Sequence, residues 1–295
     1  MSYEAKIICD STTGVTRLTT FQVRYPRFIH SEVMTHRVFS RNASSSRAIP
    51  VQKQIDAAIM NPAMPIRFMK NQPGMQASVE CNDEEEGAAR KVWLEARDNA
   101  VNSARAMVRL DVHKQFANRL LEPFQWISVV ITATDWDNFW ALRCHPDAQP
   151  EFEYLASKMR RCYQESQPSM LGLGDWHLPY IRTNEWLDYG IIDLCKISSA
   201  RCARVSYLTH DNKDPKPQED IALFERLVAG EPKHASPVEH QAVISEFASM
   251  FLSNFEPPWL QFRKFIEIGE TDPVAYLATL EAEYRSTEIG LPNDL

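Results

Sequence analysis

The apolar and polar positions of this chain change period several times, and each change marks an element. Residues 6–23 are rich in β-branched and turn-forming side chains, and the run TTFQVRYPRF reads as a strand that breaks at Pro26. A helix is predicted next through IHSEVMTHRVFS. Residues 45–78 combine Pro, Met, Gln and Asn with weak periodicity, which predicts a long ordered loop covering another part of the molecule. From 83 to 121, Ala, Leu, Val and Met recur at helical spacing among Glu, Arg and Lys, so one long helix or two successive helices are expected. ISVVITAT then reads as a buried apolar segment. A further helix is predicted from Asp135, as N-cap, to about Arg161.

Gly, Pro and Trp between residues 167 and 189 signal irregular structure and the boundary between two halves. The second half opens with a strand-like segment, ISSARCARVSYL. An acidic loop containing Pro follows, then the helix QEDIALFERLVAGE ending at Gly230. HASPVEHQAVISEF comes next, and two amphipathic stretches close the chain. No segment repeats at the period of a solenoid or propeller.

Charge narrows the function classes more than composition does. A hydrophobic content of 44% is ordinary for a globular protein, whereas a formal net charge of −7 argues against general nucleic-acid binding, which needs a basic surface. A small anion in a local Arg pocket stays compatible. The N-terminus has no apolar signal region, and no run approaches the roughly 18 apolar residues of a membrane helix, so a cytoplasmic protein with no membrane partner is expected. The six cysteines form no Cys-x-x-Cys pair, so reduced thiols are the expectation.

The densest chemistry lies in Thr35-His36-Arg37-Val38-Phe39-Ser40-Arg41-Asn42-Ala43-Ser44-Ser45-Ser46-Arg47. Forked Arg donors and Ser hydroxyls suit a phosphate that accepts several charge-assisted hydrogen bonds. A solvated helix end followed by a Ser-rich loop accounts for the same composition. The spacing resembles the signature of the flavin-dependent thymidylate synthases, Arg-His-Arg-x-x-Ser-x-Asn-x-x-Ser-x-Arg. His36, Arg37, Ser40, Asn42, Ser45 and Arg47 stand in register, while Thr35 replaces the first Arg and Ala48 the Tyr that usually follows the last.

Three further segments are similar to that family. Asn138-Phe139-Trp140-Ala141-Leu142-Arg143 with Ala148-Gln149 resembles its Asn-x-x-x-Leu-Arg helix and Ala-Gln tail, with Asp147 where a His is often found. Ala203-Arg204-Val205-Ser206-Tyr207 and His234-Ala235-Ser236-Pro237-Val238-Glu239-His240 resemble segments that in ordinary members precede the Arg-His-Arg signature. Here they follow it, so a circularly permuted order is expected, as close original termini permit. Residues 48–109 and 171–191 lie outside the resemblance.

The resemblance implies an α+β fold with a mixed or antiparallel sheet and long flanking helices. It implies one interwoven catalytic unit over residues 1–295, with a nucleotide and flavin half at 1–165 and a flavin and folate half at 190–295. A homotetramer with active sites between subunits is also implied. The implied dUMP ligands are Glu32, Ser45, Ser46, Arg47, Arg119 and Arg143. The implied FAD ligands are His36, Arg37, Asn42, Asn138, Ser206, Ser236 and Glu239. Arg143, at the uracil carbonyl and N3, and His234 are the expected catalytic residues. The implied chemistry is reductive methylation of dUMP with methylenetetrahydrofolate, FAD and NADPH. A dUMP hydroxymethylase on the same scaffold and a non-catalytic nucleotide- or flavin-binding protein are the alternatives.

Four features admit other readings. His234 and His240 suggest metal ligands, but a metal needs at least three protein ligands and no accepted spacing accompanies them, so no metal is expected. Cys144-His145-Pro146-Asp147-Ala148-Gln149 fits the Cys-His-x-x-x-Gln nucleophile segment of the unrelated classical-type thymidylate synthases, where a lowered thiol pKa would be needed. Nothing else in the chain resembles that second family, so Cys144 is expected to be a buried helix thiol. Trp176-His177-Leu178-Pro179-Tyr180 reads as a lid, a subunit contact or a core staple. Trp259 and Phe262 with Arg263 and Lys264 suit either a planar ligand or plain packing.

Overall fold

The computed structural model describes residues 3–74, 76–206, 216–228, 230 and 234–289. Strands β1 (Glu4–Thr12) and β2 (Arg17–Pro26) form a hairpin, β4 (Trp126–Ala133) pairs antiparallel with β2, and β3 (Ser40–Ala43) pairs antiparallel with β4. The short β5 (Ser169–Met170) adds parallel to β1, so the sheet is mixed, in the order β3-β4-β2-β1-β5. A second, antiparallel sheet joins β6 (Trp176–His177), β7 (Ala242–Ile244) and β8 (Trp259–Gln261). With the helices described below, the architecture is the expected α+β arrangement of mixed and antiparallel sheets.

The buried run of β4 faces two cores. Ile127, Val129, Ile131 and Ala133 enter the main core with Phe21, Val23 and Tyr25 of β2, against helices α5 (Asp137–Arg143) and α6 (Pro150–Glu165). Val130 points the other way, onto Cys202 and Val205. Both faces are therefore covered, which is why the segment is apolar without alternation.

Several helices differ from the sequence expectation. The helix predicted from residue 29 onward stops after one turn, α1 (His30–Val33). Arg41 Nη1 donates to the carbonyls of Val33, Met34 and His36, and Thr35 Oγ1 donates to the Glu32 carbonyl at 2.7 Å, so side chains take the acceptors a continuing helix would need. The predicted 45–78 loop contains helix α2 (Val51–Met60), which packs on α3 (Asp83–Arg109) through Ile55 and Ala58. Helix α3 begins with a reciprocal cap between Asn82 and Glu85 and has four acidic residues in its first turn, both favourable at a helix N-terminus. A short α4 (Lys114–Ala117) and a 3₁₀ segment (Asn118–Phe124) follow.

The single helix expected from Asp135 to Arg161 is two, α5 and α6. Pro146 and Pro150 lie in and after the break, and Pro150 starts α6, the position where proline is tolerated. Trp136 holds the N-cap position of α5, and Asp135, one residue earlier, accepts through Oδ1 from the backbone N–H of Asp137, the first helical residue, at 3.2 Å.

The segment expected as a strand at 197–208 is instead helical from Ile191 to Ala203, α8, preceded by the one-turn α7 (Glu185–Asp188). Helix α8 is buried around most of its circumference, so it has no apolar stripe to betray its period. Its polar residues are satisfied internally: Ser199 Oγ donates to the Cys195 carbonyl and Ser198 Oγ to that of Pro179, each at 2.7 Å. Arg201, 2% exposed, binds Glu185 at 2.6 Å and Asp220 at 2.9 Å. Asp220 lies on helix α9 (Pro217–Val228) and also accepts from Arg204 at 2.8 Å. Helices α10 (Phe262–Glu267) and α11 (Pro273–Ile289) close the described chain, and α11 lacks the apolar stripe of an amphipathic helix. Tyr207 and the acidic loop to residue 215 lie outside the described residues.

Polar contacts join the two ends of the chain across the second face of the large sheet. His177 pairs with Ser11 Oγ at 2.9 Å and Thr20 Oγ1 at 2.8 Å, Thr20 pairs with Thr132, and Thr132 pairs with His240 Nδ1, the last two at 2.8 Å. All five side chains are buried. Tyr180, in the left-handed region at φ +65°, donates its hydroxyl to Gln22 while its carbonyl accepts from Arg201. Trp176, Trp259 and Phe262 are core residues, 7%, 0% and 2% exposed, so packing is their reading rather than a stacking surface. Among the described residues no helix is long and apolar enough to cross a membrane.

Candidate active site

Residues 35–47 contribute to two clefts. The first is lined by Thr35, His36, Arg37 and Val38 after α1, and by Asp135, Asn138, Phe139, Leu142 and Arg143 along α5. The second is lined by Asn42, Ser45 and Arg47 from β3 and the following turn, Gln115 of α4, Leu223 and Leu227 of α9, and His234 and Ser236. Its volume of about 420 Å³ lies within the usual range for small-molecule sites, about 300–1,000 Å³.

In the first cleft His36 is 7% exposed, with its ring against Phe39, Phe139 and Phe152. Burial, with Arg143 and Arg41 nearby, holds its pKa down at about 4, so the imidazole is neutral at physiological pH. Arg143 Nε donates to His36 Nε2 at 3.0 Å, its guanidinium carbon lies 4.4 Å from the centre of the Phe152 ring, and Nη1 is 3.7 Å from Glu32. Burial raises the Glu32 carboxyl, and Arg143 opposes that shift. Arg37 and Asn138 are exposed on the rim.

The second cleft draws on both ends of the chain. Ser236 Oγ donates to Asn42 Oδ1 at 3.1 Å, and Asn42 Nδ2 donates to the Cys202 carbonyl at 2.6 Å. Gln261 bridges the same regions, donating to Ser40 Oγ at 2.9 Å and to the Glu239 carbonyl at 3.0 Å. Arg47 and His234 are exposed side chains, and Arg47 makes no hydrogen bond or ion pair among the described residues.

Among the expected site residues, Glu32, Ser46, Arg119 and Glu239 border neither cleft. Ser46 is 2% exposed and its hydroxyl donates to Glu122 at 2.8 Å. The same Glu122 oxygen accepts from Arg119 at 2.8 Å and lies 3.1 Å from Arg27. Ser46 and Arg119 therefore meet a protein carboxylate. With Asn118 and Lys114, which donate to the carbonyls of Ser46, Ile49 and Ala48, that carboxylate bolts the 45–48 turn from behind. Glu239 binds Arg263; burial raises its carboxyl, while Arg263 and Arg41 pull it down. Ser206 ends the 3₁₀ turn after α8, and its side chain lies outside the described residues.

Gln115, Leu223 and Leu227 line the second cleft but belong to no motif, and Arg41, an intervening position of the signature, knots the turn after α1. Cys144 caps the C-terminus of α5 and is half-buried rather than buried within a helix. Burial pushes its thiol up, more than Ser157 and Arg160 lower it, so it is not an activated thiolate. Among the described residues no group of three or more His, Cys, Asp and Glu is arranged to hold a metal.

An α+β enzyme scaffold whose signature residues collect at two clefts is the class this arrangement defines. A family model, Thy1, thymidylate synthase complementing protein, matches residues 16–169, the stretch that holds the 35–47 signature and the 138–149 segment. The chain belongs to this family of flavin-dependent thymidylate synthases. The segments at 203–207 and 234–240 lie beyond the matched range. Two solved structures of the UMP/dUMP methylase PolB from Streptomyces cacaoi are similar. The one bound with 5-Br UMP is 16% identical, covers 56% of this chain and 89% of its own, and has a TM-score of 0.46. The one bound with 5-Br dUMP is 20% identical, with 50% and 67% covered and a TM-score of 0.43. No curated protein matches.

Proposed function

We propose that the protein is a flavin-dependent thymidylate synthase that converts dUMP to dTMP with methylenetetrahydrofolate as carbon donor, FAD as bound cofactor and NADPH as reductant. The observation that carries the reading is that signature residues separated by most of the chain, Asn42 and Ser236, hydrogen-bond across one cleft beside the exposed Arg47. The family match supports it independently.

The residues fit an anionic nucleotide and a flavin. Exposed Arg37 and Asn138 offer unspent donors beside the buried aromatic wall of the first cleft, and Arg47 and Ser45 offer donors in the second. Ser45 and Arg47 hold the dUMP phosphate by charge-assisted bonds. Arg143 meets the uracil carbonyl and N3, where a fixed cation stabilises charge developing on the ring. Arg37 and Asn138 border the flavin in one cleft, and Asn42 and Ser236 in the other. His234 faces the folate side. When bound, reduced flavin supplies the hydride that completes the methyl group, and the protein's part is to orient and polarise.

Arg143 and Arg47 open on different clefts of one protomer, which supports a homotetramer in which one nucleotide is gripped by residues of two subunits. Residues 1–295 then act as one catalytic unit whose halves, 1–165 and 190–295, meet at β3. A cytoplasmic setting suits the reduced cysteines and the folate and pyridine nucleotide partners. The reading is tested by flavin content: purified protein carries flavin absorbance or gains it with added FAD, and added dUMP perturbs that spectrum. Protein that stays colourless with excess FAD contradicts it.

A further inference from the structure

We propose that His36 is a positioning residue for Arg143, holding its guanidinium in one orientation, rather than primarily a flavin contact. The inference deepens the proposed function and rests on Arg143 meeting the pyrimidine.

The geometry is specific. Arg143 Nε–H donates to His36 Nε2 at 3.0 Å, so Nε2 must be the bare acceptor nitrogen and the ring proton must sit on Nδ1. Protonated His36 would set two donors against each other. The ring is clamped by Phe39, Phe139 and Phe152, and its own backbone carbonyl is held by Arg41 at 3.0 Å. Phe152 also lies under the Arg143 guanidinium at 4.4 Å, and Glu32 stands 3.7 Å from Nη1. Arg143 is thus fixed at Nε, at one face and toward Nη1. Its Nη2 makes no hydrogen bond among the described residues. An arginine held on three sides with one edge unspent is what orientation of a planar ligand requires, because donors fixed beforehand spend no binding energy on ordering.

His36 contributes through a single acceptor atom, and this makes the proposal separable from packing. In the full-length protein, His36→Leu keeps bulk and removes the acceptor, whereas His36→Gln supplies an amide oxygen near the same position. With flavin loading and melting temperature as fold controls, titration calorimetry should show dUMP affinity falling at least about tenfold in His36→Leu, the size of a lost hydrogen bond to a charged group. His36→Gln should stay within about threefold, and FAD affinity should be unchanged in both. Equal losses in two folded variants, or lost FAD affinity with dUMP binding intact, overturn the proposal.

A ligand-free readout keeps it distinct from the function reading. Histidine ¹⁵N spectra at neutral pH should show His36 with the proton on Nδ1, and Arg143→Ala should change that signature. If wild-type protein binds no dUMP while the Arg143-dependent signature is present, the function reading fails and the pairing is upheld. A signature unaffected by Arg143→Ala overturns the pairing.

Discussion

Arg143 and Arg47 carry the same guanidinium to two clefts of one protomer, but the protein constrains them differently. Arg143 is tied to His36, stacked on Phe152 and faced by Glu32 before any ligand arrives. Arg47 projects from a turn that is bolted at its back by Asn118, Lys114 and the bond from Ser46 to Glu122, yet its own side chain is left without a protein partner among the described residues. In the proposed reaction the contrast separates two tasks. A cation that stabilises charge developing on a ring gains from fixed placement, because reorganisation during the reaction would consume the benefit. A cation that captures a phosphate gains from reach, and it orders when the anion supplies its partner.

The comparison breaks most severely if the scaffold beneath the second cleft is soft. Asp220 is fully buried and binds both Arg201 and Arg204 beside Ala203, a lining residue. Asp220→Ala leaves buried Arg201 undercompensated and is expected to cost about 3–5 kcal/mol in urea unfolding. A loss below about 1 kcal/mol, the usual scale of a surface change, would show that the network does not hold α8 and α9 together.

Acid attacks the contacts between the two ends of the chain. Burial holds His177 and His240 at about 3, and His36 at about 4, against an ordinary 6.5. The unfolded chain takes up protons as pH falls through 6.5 and the folded chain does not, so stability is full above 6.5 and declines below it. The loss continues until the folded pKa values are reached. By pH 5 the decline should be on the order of 2 kcal/mol for each of His177 and His240. Unfolding free energies that are flat from pH 7.5 to 5 would contradict this.

Arg47→Ala sharpens the contrast between the two arginines. It should weaken dUMP binding by about 1.5–3 kcal/mol while flavin absorbance remains, because a phosphate loses one charge-assisted partner. Equal loss of dUMP and FAD would reassign the residue. Cys144→Ala should change least: its thiol is held above the ordinary range, so turnover is retained and stability shifts by no more than about 0.5 kcal/mol. Abolished turnover in a folded variant would restore the thiolate reading.

Much of this was legible in the sequence where a side chain's role depends on near neighbours. TTFQVRYPRF ends as a strand at Pro26, α3 starts at Asp83 where the helical spacing begins, and ISVVITAT is buried. The 35–47 signature and the 138–149 segment also coincide with the family match. What failed depended on distant partners. Residues 197–203 looked like a strand because α8 is buried nearly all round, and its Arg201 is satisfied by Glu185 and Asp220 from other elements. The meeting of Ser46 and Arg119, both expected dUMP ligands, at Glu122 is likewise a long-range contact that no spacing reports. The helix expected after α1 stops because Arg41 reaches back for its carbonyls, a contact that no period of apolar residues reports.

The nucleotide product distinguishes methylation from the alternatives in one assay. The protein is incubated with dUMP, methylenetetrahydrofolate, FAD and NADPH, and the nucleotide is identified by mass. dTMP is the expected product. Hydroxymethyl-dUMP, or unchanged dUMP with folded and flavin-loaded protein, would contradict it.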